Sequence, residues 1–225
     1  MEPQILTALV VVAIAGVVAV VVISRHLAAR RREALAAAAL GLGFEFLPTL
    51  AAHEVAPGGL RILTRGRGHS FRNLLRGRRG DTAVLVADHD YTTGSGKNSS
   101  HHRRSLLVLR RTGLALPTFY LRPQIAVLDS IGKMVGMRDL DFSEDEAFSR
   151  AFLLQTDEED AVRRLFGAAV RQQALALGRA FEVEARGDVL LVERTSRVAA
   201  VDVPQLVDNA SAFLEVLAGG VRSTW

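Results

Sequence analysis

Residues 5–23 are apolar and uncharged, interrupted only by Thr7 and Gly16. At a rise of 1.5 Å per residue, a helix over this run spans roughly 29 Å, which matches a bilayer hydrocarbon core. Val and Ile form helices poorly in water, but in lipid the backbone must satisfy its own hydrogen bonds, so the run predicts a membrane-spanning helix. Glu2 precedes the run, and Arg25, His26, Arg30, Arg31 and Arg32 follow it. A cleaved leader would begin basic, be shorter and end in a small-residue cleavage site, so the run is expected to be an uncleaved anchor. Positive charge stays in the cytoplasm, which predicts a single pass through a cell inner membrane, N-terminus out and the remainder cytoplasmic. The Ala, Leu, Arg and Glu of residues 30–40 favour helix, and Gly41 and Gly43 stop it, giving a short stalk.

After the stalk the period changes. Residues 44–47 alternate as a first strand; Pro48 and the Pro57-Gly58-Gly59 turn then break the chain before residues 60–64. Residues 71–75 and 82–87 read as a hairpin around Gly77-Arg78-Arg79-Gly80. Residues 83–91 and 103–111 read as a second, joined by the Gly/Ser-rich loop 94–100, and residues 119–122 as one more strand. From Gln124, Ile125, Leu128, Ile131 and Val135 recur at helical spacing up to Gly136. Thr156 and Glu159 form a capping-box pattern ahead of Ala161, Val162, Leu165, Phe166 and Ala169, predicting one helix to about Leu177. A hairpin over residues 181–185 and 189–194 follows. Asp202 then caps a last helix, with Pro204 in its first turn, Val203, Leu206, Val207, Ala210, Phe213, Leu214 and Leu217 on one face, and Gly219 and Gly220 at its end. Strands grouped first, then helices mixed with a hairpin, predict an α+β fold: an N-terminal transmembrane helix followed by a mainly antiparallel sheet with packed helices. The expected division is an anchor and juxtamembrane helix over 1–43, an α+β domain over 44–219 with lobes of about 44–122 and 123–219, and a tail over 220–225.

The chain has 225 residues, enough for an anchor and one domain that folds without disulfides or metal. It contains no cysteine, which excludes thiolate zinc sites, iron–sulfur clusters, a cysteine nucleophile and disulfides. Its net charge of +4 conceals an uneven distribution. Arg61, Arg65, Arg67, Arg72, Arg76, Arg78 and Arg79 fall in a stretch with no acidic residue between Val55 and Gly80.

Several stretches, Asn73-Leu74-Leu75-Arg76-Gly77, Asp90-Tyr91-Thr92-Thr93-Gly94-Ser95-Gly96-Lys97, Phe119-Tyr120-Leu121-Arg122-Pro123, Asp139-Leu140-Asp141-Phe142, Phe148-Ser149-Arg150 and the segment from Asp157-Glu158 to Leu165-Phe166, resemble a family of uncharacterised bacterial membrane-anchored proteins with a domain of unknown function. The resemblance spans roughly residues 41–217 and implies a shared fold, without an activity. His89, His101 and His102 lie outside the family's pattern.

Candidate chemistry is sparse. Gly94-Ser95-Gly96-Lys97 invites comparison with a phosphate-binding loop, but Tyr91 and Asn98 stand where that motif needs Gly and Ser or Thr, and no helix follows. A hairpin loop, with Lys97 as an anion contact, is the expectation. Asp88, His89, Asp90, His101 and His102 could supply a zinc or manganese shell. Strand alternation, however, sends His89 to the face opposite both aspartates and His101 opposite His102, so these residues are expected as solvated strand ends, with no metal or other cofactor. Asp139 and Asp141 could pair for acid–base work, but no obvious nucleophile or electrophile stabiliser lies nearby, and a turn or strand edge before a buried Phe142 is the expectation. Arg186-Gly187-Asp188 reads as a hairpin turn. The arginine-rich stretch lacks the aromatic residues of a single-strand platform, which argues against nucleic acid. Next to an anionic leaflet it could hold the domain on the bilayer through the hairpin around residues 77–80. The expected function is a membrane-tethered, non-enzymatic binding or scaffold domain contacting anionic lipid headgroups through Arg61, Arg65, Arg67, Arg72, Arg76, Arg78, Arg79 and Lys97. The alternative is a membrane-associated enzyme, metal-assisted or carboxylate-based.

Overall fold

A computed structural model describes residues 3–56, 59–124 and 138–222. The helical pattern read over residues 125–136 and the Pro57-Gly58 turn lie outside these residues. The first element, α1 (Pro3–Leu42), is one continuous helix. Its segment Leu9–Leu42 is long and apolar enough to cross a membrane. The strands that follow are β1 (Glu45–Leu50), β2 (Arg67–Arg79), β3 (Thr82–Thr93), β4 (Ser100–Arg110), β5 (Leu116–Pro123), β6 (Arg138–Leu140), β7 (Phe152–Thr156), β8 (Phe181–Gly187) and β9 (Val189–Arg194). They form one sheet in the order β1-β2-β3-β4-β9-β8-β5-β7-β6, with antiparallel pairing throughout. The fold is α+β, as the grouping of strands and helices predicts.

One sheet face carries the larger core. Val84, Val86, Leu107, Leu109, Phe119, Leu121, Leu190 and Val192 pack there against α4 (Glu146–Ala151), α5 (Glu159–Leu165), α6 (Ala168–Leu177) and α7 (Val203–Arg222). The predicted apolar stripe of α7 is the stripe it buries, with Val207, Ala210, Phe213 and Leu217 at 0% exposure. The second half of α1 joins the same core through Leu35 and Ala39, so it packs on the sheet and is no free-standing stalk. Alanine at most α1 positions here lets the helix axis approach the sheet closely.

The other face is covered by a strap, residues 51–56 and 59–66, that contains the short helices α2 (Ala52–Val55) and α3 (Arg61–Thr64). Val55, Leu60 and Ile62 press onto Phe71, Leu74, Leu85, Leu106 and Leu191 in a second, smaller core. Glu184 fixes the strap by accepting from the Arg61 and Ile62 amides at 2.7 and 2.9 Å, at the start of α3.

Four local expectations are corrected. The single helix predicted after Thr156 is two, α5 and α6, because Gly167 between them is extended (ψ 173°). Thr156 ends β7, where its hydroxyl donates to the Thr118 carbonyl at 2.7 Å and accepts from the Glu158 amide at 2.8 Å, so it does not cap a helix with Glu159. Gly219 and Gly220 do not end α7: a Cβ on Gly220 would lie 3.0 Å from Leu165 Cδ1, so its bareness lets α7 pass α5. Similarly, Gly77 belongs to β2 and not to the turn, because a Cβ there would sit 2.1 Å from the Phe44 ring.

Candidate functional site

Alternation along β3 and β4 sorts the polar residues of their shared end onto two faces. Asp88, Asp90 and Arg103 face α1, whereas His89, Tyr91, His102 and Arg104 face the strap side. On the α1 side, Arg31 donates from Nε and Nη2 to the two Asp88 oxygens at 2.8 and 2.6 Å, and from Nη1 to the Val198 carbonyl at 3.0 Å. Asp88 is 2% exposed and also accepts from Asn73 Nδ2 at 2.9 Å. Asn73 reaches it from a β-bulge, at φ 52°, a conformation that Asn tolerates better than most residues. This fork clamps α1 to the sheet.

N-terminal to the clamp, α1 stands off from the sheet's end and leaves a cleft of about 840 Å³. Leu27, Ala28 and Arg32 line it from the helix; Arg72, Asp90, Arg103 and Arg197 line it from the sheet and the loop after β9. Asp90 holds Arg197 Nη2 at 2.7 and 2.8 Å and is also bonded by Arg72. Arg32 and Arg103 have no acceptor among the described residues.

On the strap side, a buried charge network crosses six strands, β2, β3, β4, β9, β8 and β5. Arg65, from the end of α3, bonds both Glu182 and Glu193. Arg104 Nη1 donates to the same two carboxylates at 2.7 and 3.1 Å, and the Tyr120 hydroxyl donates to Glu182 at 2.5 Å. His89, at 0% exposure, connects Glu193 (2.6 Å) to His69 (2.9 Å). The expectation of solvated strand ends therefore fails for Asp88 and His89: α1 covers one, and the strap with β2 covers the other. Burial opposes the charge of Arg65, yet Glu193 and Glu182 outweigh it and raise its pKa above the ordinary value. Burial likewise opposes ionisation of Glu182, but Arg65, the Tyr120 hydroxyl and Arg104 hold its carboxyl below the usual range. Burial pushes Tyr91 up to about 12. Two guanidiniums face two carboxylates and bond them through their Nη atoms, while the Nε of both Arg65 and Arg104 is buried without a hydrogen-bond partner; the arrangement is a structural lock between strap and sheet.

The predicted basic residues do not form one patch. Arg61 donates to Gln155 Oε1 at 2.7 Å and lies 5.0 Å over the Tyr120 ring. Arg65 is in the lock. Arg67 bonds the Gly94 carbonyl, Arg72 bonds Asp90, and Lys97 is exposed at the tip of the β3–β4 loop; these three lie at the cleft end of the sheet. Arg76 bonds Glu45 at 2.7 Å, Arg78 bonds the Asp81 carbonyl at 2.8 Å, and Arg79 lies 5.8 Å over Phe44. These last three sit at the opposite end, where α1 terminates. Between Ile23 and Leu42 a helix advances roughly 28 Å. The hairpin expected at the bilayer is thus at the far end of the sheet from the apolar half of α1.

The other candidates do not converge. Asp139 accepts from Gln155 Nε2 at 2.8 Å, and Asp141 follows β6 in a non-strand position. Among the described residues no group of three or more His, Asp and Glu is arranged to hold a metal ion. Residues 94–97 lead through a 3-10 turn straight into β4, and Gly187, at φ 60°, makes the β8–β9 turn. Arg31, Arg103 and Arg197, which shape the cleft, carry no motif. Only the β3–β4 register, with Asp90 opposite Arg103, could have brought one of them forward.

Fold and site together define a single α+β domain built directly onto a long apolar helix, with a basic cleft where the two separate. No family model and no curated protein matches the chain. Among solved structures, the crystal structure of the mycobacterial trehalose monomycolate transport factor A, TtfA, is similar, with a TM-score of 0.59 at 13% identity over 86% of this chain and 93% of that one. At that identity the likeness is one of fold.

Proposed function

We propose that this chain is a membrane-tethered, non-enzymatic binding domain, anchored by the apolar half of α1 as a single pass through a cell inner membrane. Its N-terminus faces outward and its sheet domain is cytoplasmic. The domain contacts anionic headgroups through the cleft end of the sheet, using Arg67, Arg72 and Lys97 with Arg25, Arg30, Arg32 and Arg103. The observation that carries this reading is the position of Arg32, Arg72 and Arg103 in the cleft beside residues 24–32, where α1 leaves its apolar stretch, with Arg67 and Lys97 at the same end of the sheet. Each is worth about 1 kcal/mol within a Debye length of an anionic surface. Arg76, Arg78 and Arg79 fall outside that range, and Arg61 and Arg65 serve the fold. A scaffold role agrees with a fold shared with a protein named as a transport factor. The alternative, an enzyme using Asp139 and Asp141 or the histidines, finds less support among the described residues, where Asp139 bonds Gln155 and His89 is buried between Glu193 and His69.

A fragment over residues 24–225 keeps Arg31, Leu35 and Ala39 and so the core. It is expected to bind vesicles containing phosphatidylglycerol, to ignore phosphatidylcholine and to release in high salt. Arg67, Arg72 and Lys97 changed together to Ser should cost up to about 3 kcal/mol. The same change at Arg76, Arg78 and Arg79 should cost little. Equal losses from both sets, or binding that survives high salt, would defeat the lipid reading. A cytoplasm-dependent reporter fused after Trp225 tests the orientation, and silence from a well-expressed fusion would reverse it.

A further inference from the structure

We infer that the cleft between α1 and the sheet is a discrete site for a phosphate-bearing lipid headgroup, an assignment that rests on the membrane-tethered reading above and sharpens it. Five guanidinium groups, of Arg31, Arg32, Arg72, Arg103 and Arg197, meet only two carboxylates there, Asp88 and Asp90. Arg31 is committed to Asp88, and Arg72 and Arg197 share Asp90. Matching each carboxylate to one cation leaves three positive charges around a volume far larger than a phosphate ion needs. Guanidinium forks suit phosphate oxygens because they donate two parallel hydrogen bonds.

The helix wall distinguishes a lipid from a soluble phosphate ester. Leu27, Ala28 and Ala29 give the cleft an apolar side continuous with the exposed Val20, Val21, Val22 and Ile23 above it. From Ile23 to Leu27 a helix advances roughly 6 Å and to Arg32 roughly 14 Å. The interfacial layer on each side of a bilayer is about 5–8 Å deep. The cleft mouth therefore opens within the headgroup layer and its floor lies just below it. A phosphate can reach Arg32 and Arg103 while its glycerol follows Leu27 and Ala28 and its chains run up α1.

The full chain in a neutral detergent is titrated with dihexanoyl phosphatidic acid, dihexanoyl phosphatidylcholine, glycerol 3-phosphate and inorganic phosphate, and bound ligand is counted by native mass spectrometry. One phosphatidic acid per chain is expected, with phosphatidylcholine and both soluble phosphates at least tenfold weaker. The pair Arg32→Ser and Arg103→Ser removes no side-chain hydrogen bond or ion pair among the described residues, so the fold should persist. It should weaken phosphatidic acid about tenfold or more, the scale of a lost charge-assisted hydrogen bond. Arg76→Ser with Arg78→Ser removes the same charge at the far end and should leave binding unchanged. Equal weakening by both pairs would overturn the discrete site while leaving diffuse attraction to the membrane intact. Inorganic phosphate binding as tightly as the lipid would overturn the lipid assignment in favour of a soluble phosphate ester. No binding of any anion would remove both this site and the lipid part of the proposed function.

Discussion

Replacing Arg65 by Met tests whether the buried network locks the strap to the sheet. Met preserves much of the side-chain volume but leaves Arg104 alone against two carboxylates, of which Glu193 has 0% side-chain exposure and Glu182 10%. Removing one partner of a buried ion pair costs roughly 3–5 kcal/mol. Arg65 is itself 21% exposed and Arg104 remains, so the lower end applies, about 3 kcal/mol. For a domain of this size that corresponds to a fall in Tm of roughly 6–12 °C. The pH dependence follows from Glu182. Its folded pKa lies below the unfolded value, so it adds stability above the unfolded carboxylate pKa and loses it as pH falls through the folded one. Without Arg65, burial is less opposed and a carboxylate can take up a proton at higher pH. The penalty at pH 7.5 should therefore shrink at pH 5. Circular dichroism melting of the full chain in neutral detergent measures both, with exposed Arg67→Met as the control. A fall at pH 7.5 no larger than that control, or one that does not change with pH, would refute the lock.

Arg31→Ala leaves buried Asp88 with Asn73 as its hydrogen-bond donor and the Arg197 guanidinium 3.9 Å away, and should cost about 3 kcal/mol, detectable as faster tryptic cleavage after Arg30 and Arg32; unchanged digestion would mean that Leu35 and Ala39 alone hold the helix. Gly77→Ala forces Phe44 from its place against β2 and should destabilise by about 1–3 kcal/mol in the same melting assay, whereas Gly80→Ala, which meets nothing, carries only the cost of its positive φ. Burial first, then His89 for His69 and Arg104 for His102, lowers both histidine pKa values. Their contribution is present above the unfolded value of about 6.5 and is lost as pH falls through the folded ones. Melting temperature should thus decline on acidification through that window and decline less in His69→Gln with His102→Gln; identical slopes would exclude these rings as the cause.

Much of the framework was legible because it depends on local periodicity. The apolar run of α1, the alternating hairpins and the stripe of α7 each carry their burial pattern in consecutive residues. The faces of Asp88, His89 and Asp90 also followed from alternation. What failed to follow was burial, because the covering residues are remote: Arg31 lies 57 positions from Asp88, and Glu193 lies 104 from His89. The Ala-rich half of α1 read as a stalk because a sheet-facing stripe of Leu35 and Ala39 is hardly distinguishable from filler. The arginines of residues 61–79 read as one patch because sequence distance hides a strand's length. β2 runs 13 residues, about 40 Å at the usual rise, and carries Arg67 and Arg79 to opposite ends of the sheet.

Because α1 passes from its apolar run into the core without a turn, its azimuth is inherited by everything attached to it. Each helical residue rotates the chain by about 100°. A single alanine inserted between Ile23 and Arg31 would therefore swing the whole sheet around the anchor by that angle. Two would nearly invert it, with no bond inside the domain altered. The heading of the domain relative to its own anchor is in this way encoded by residue count in a stretch of seven. A partner that gripped one face of the anchor would thereby meet one fixed face of the sheet.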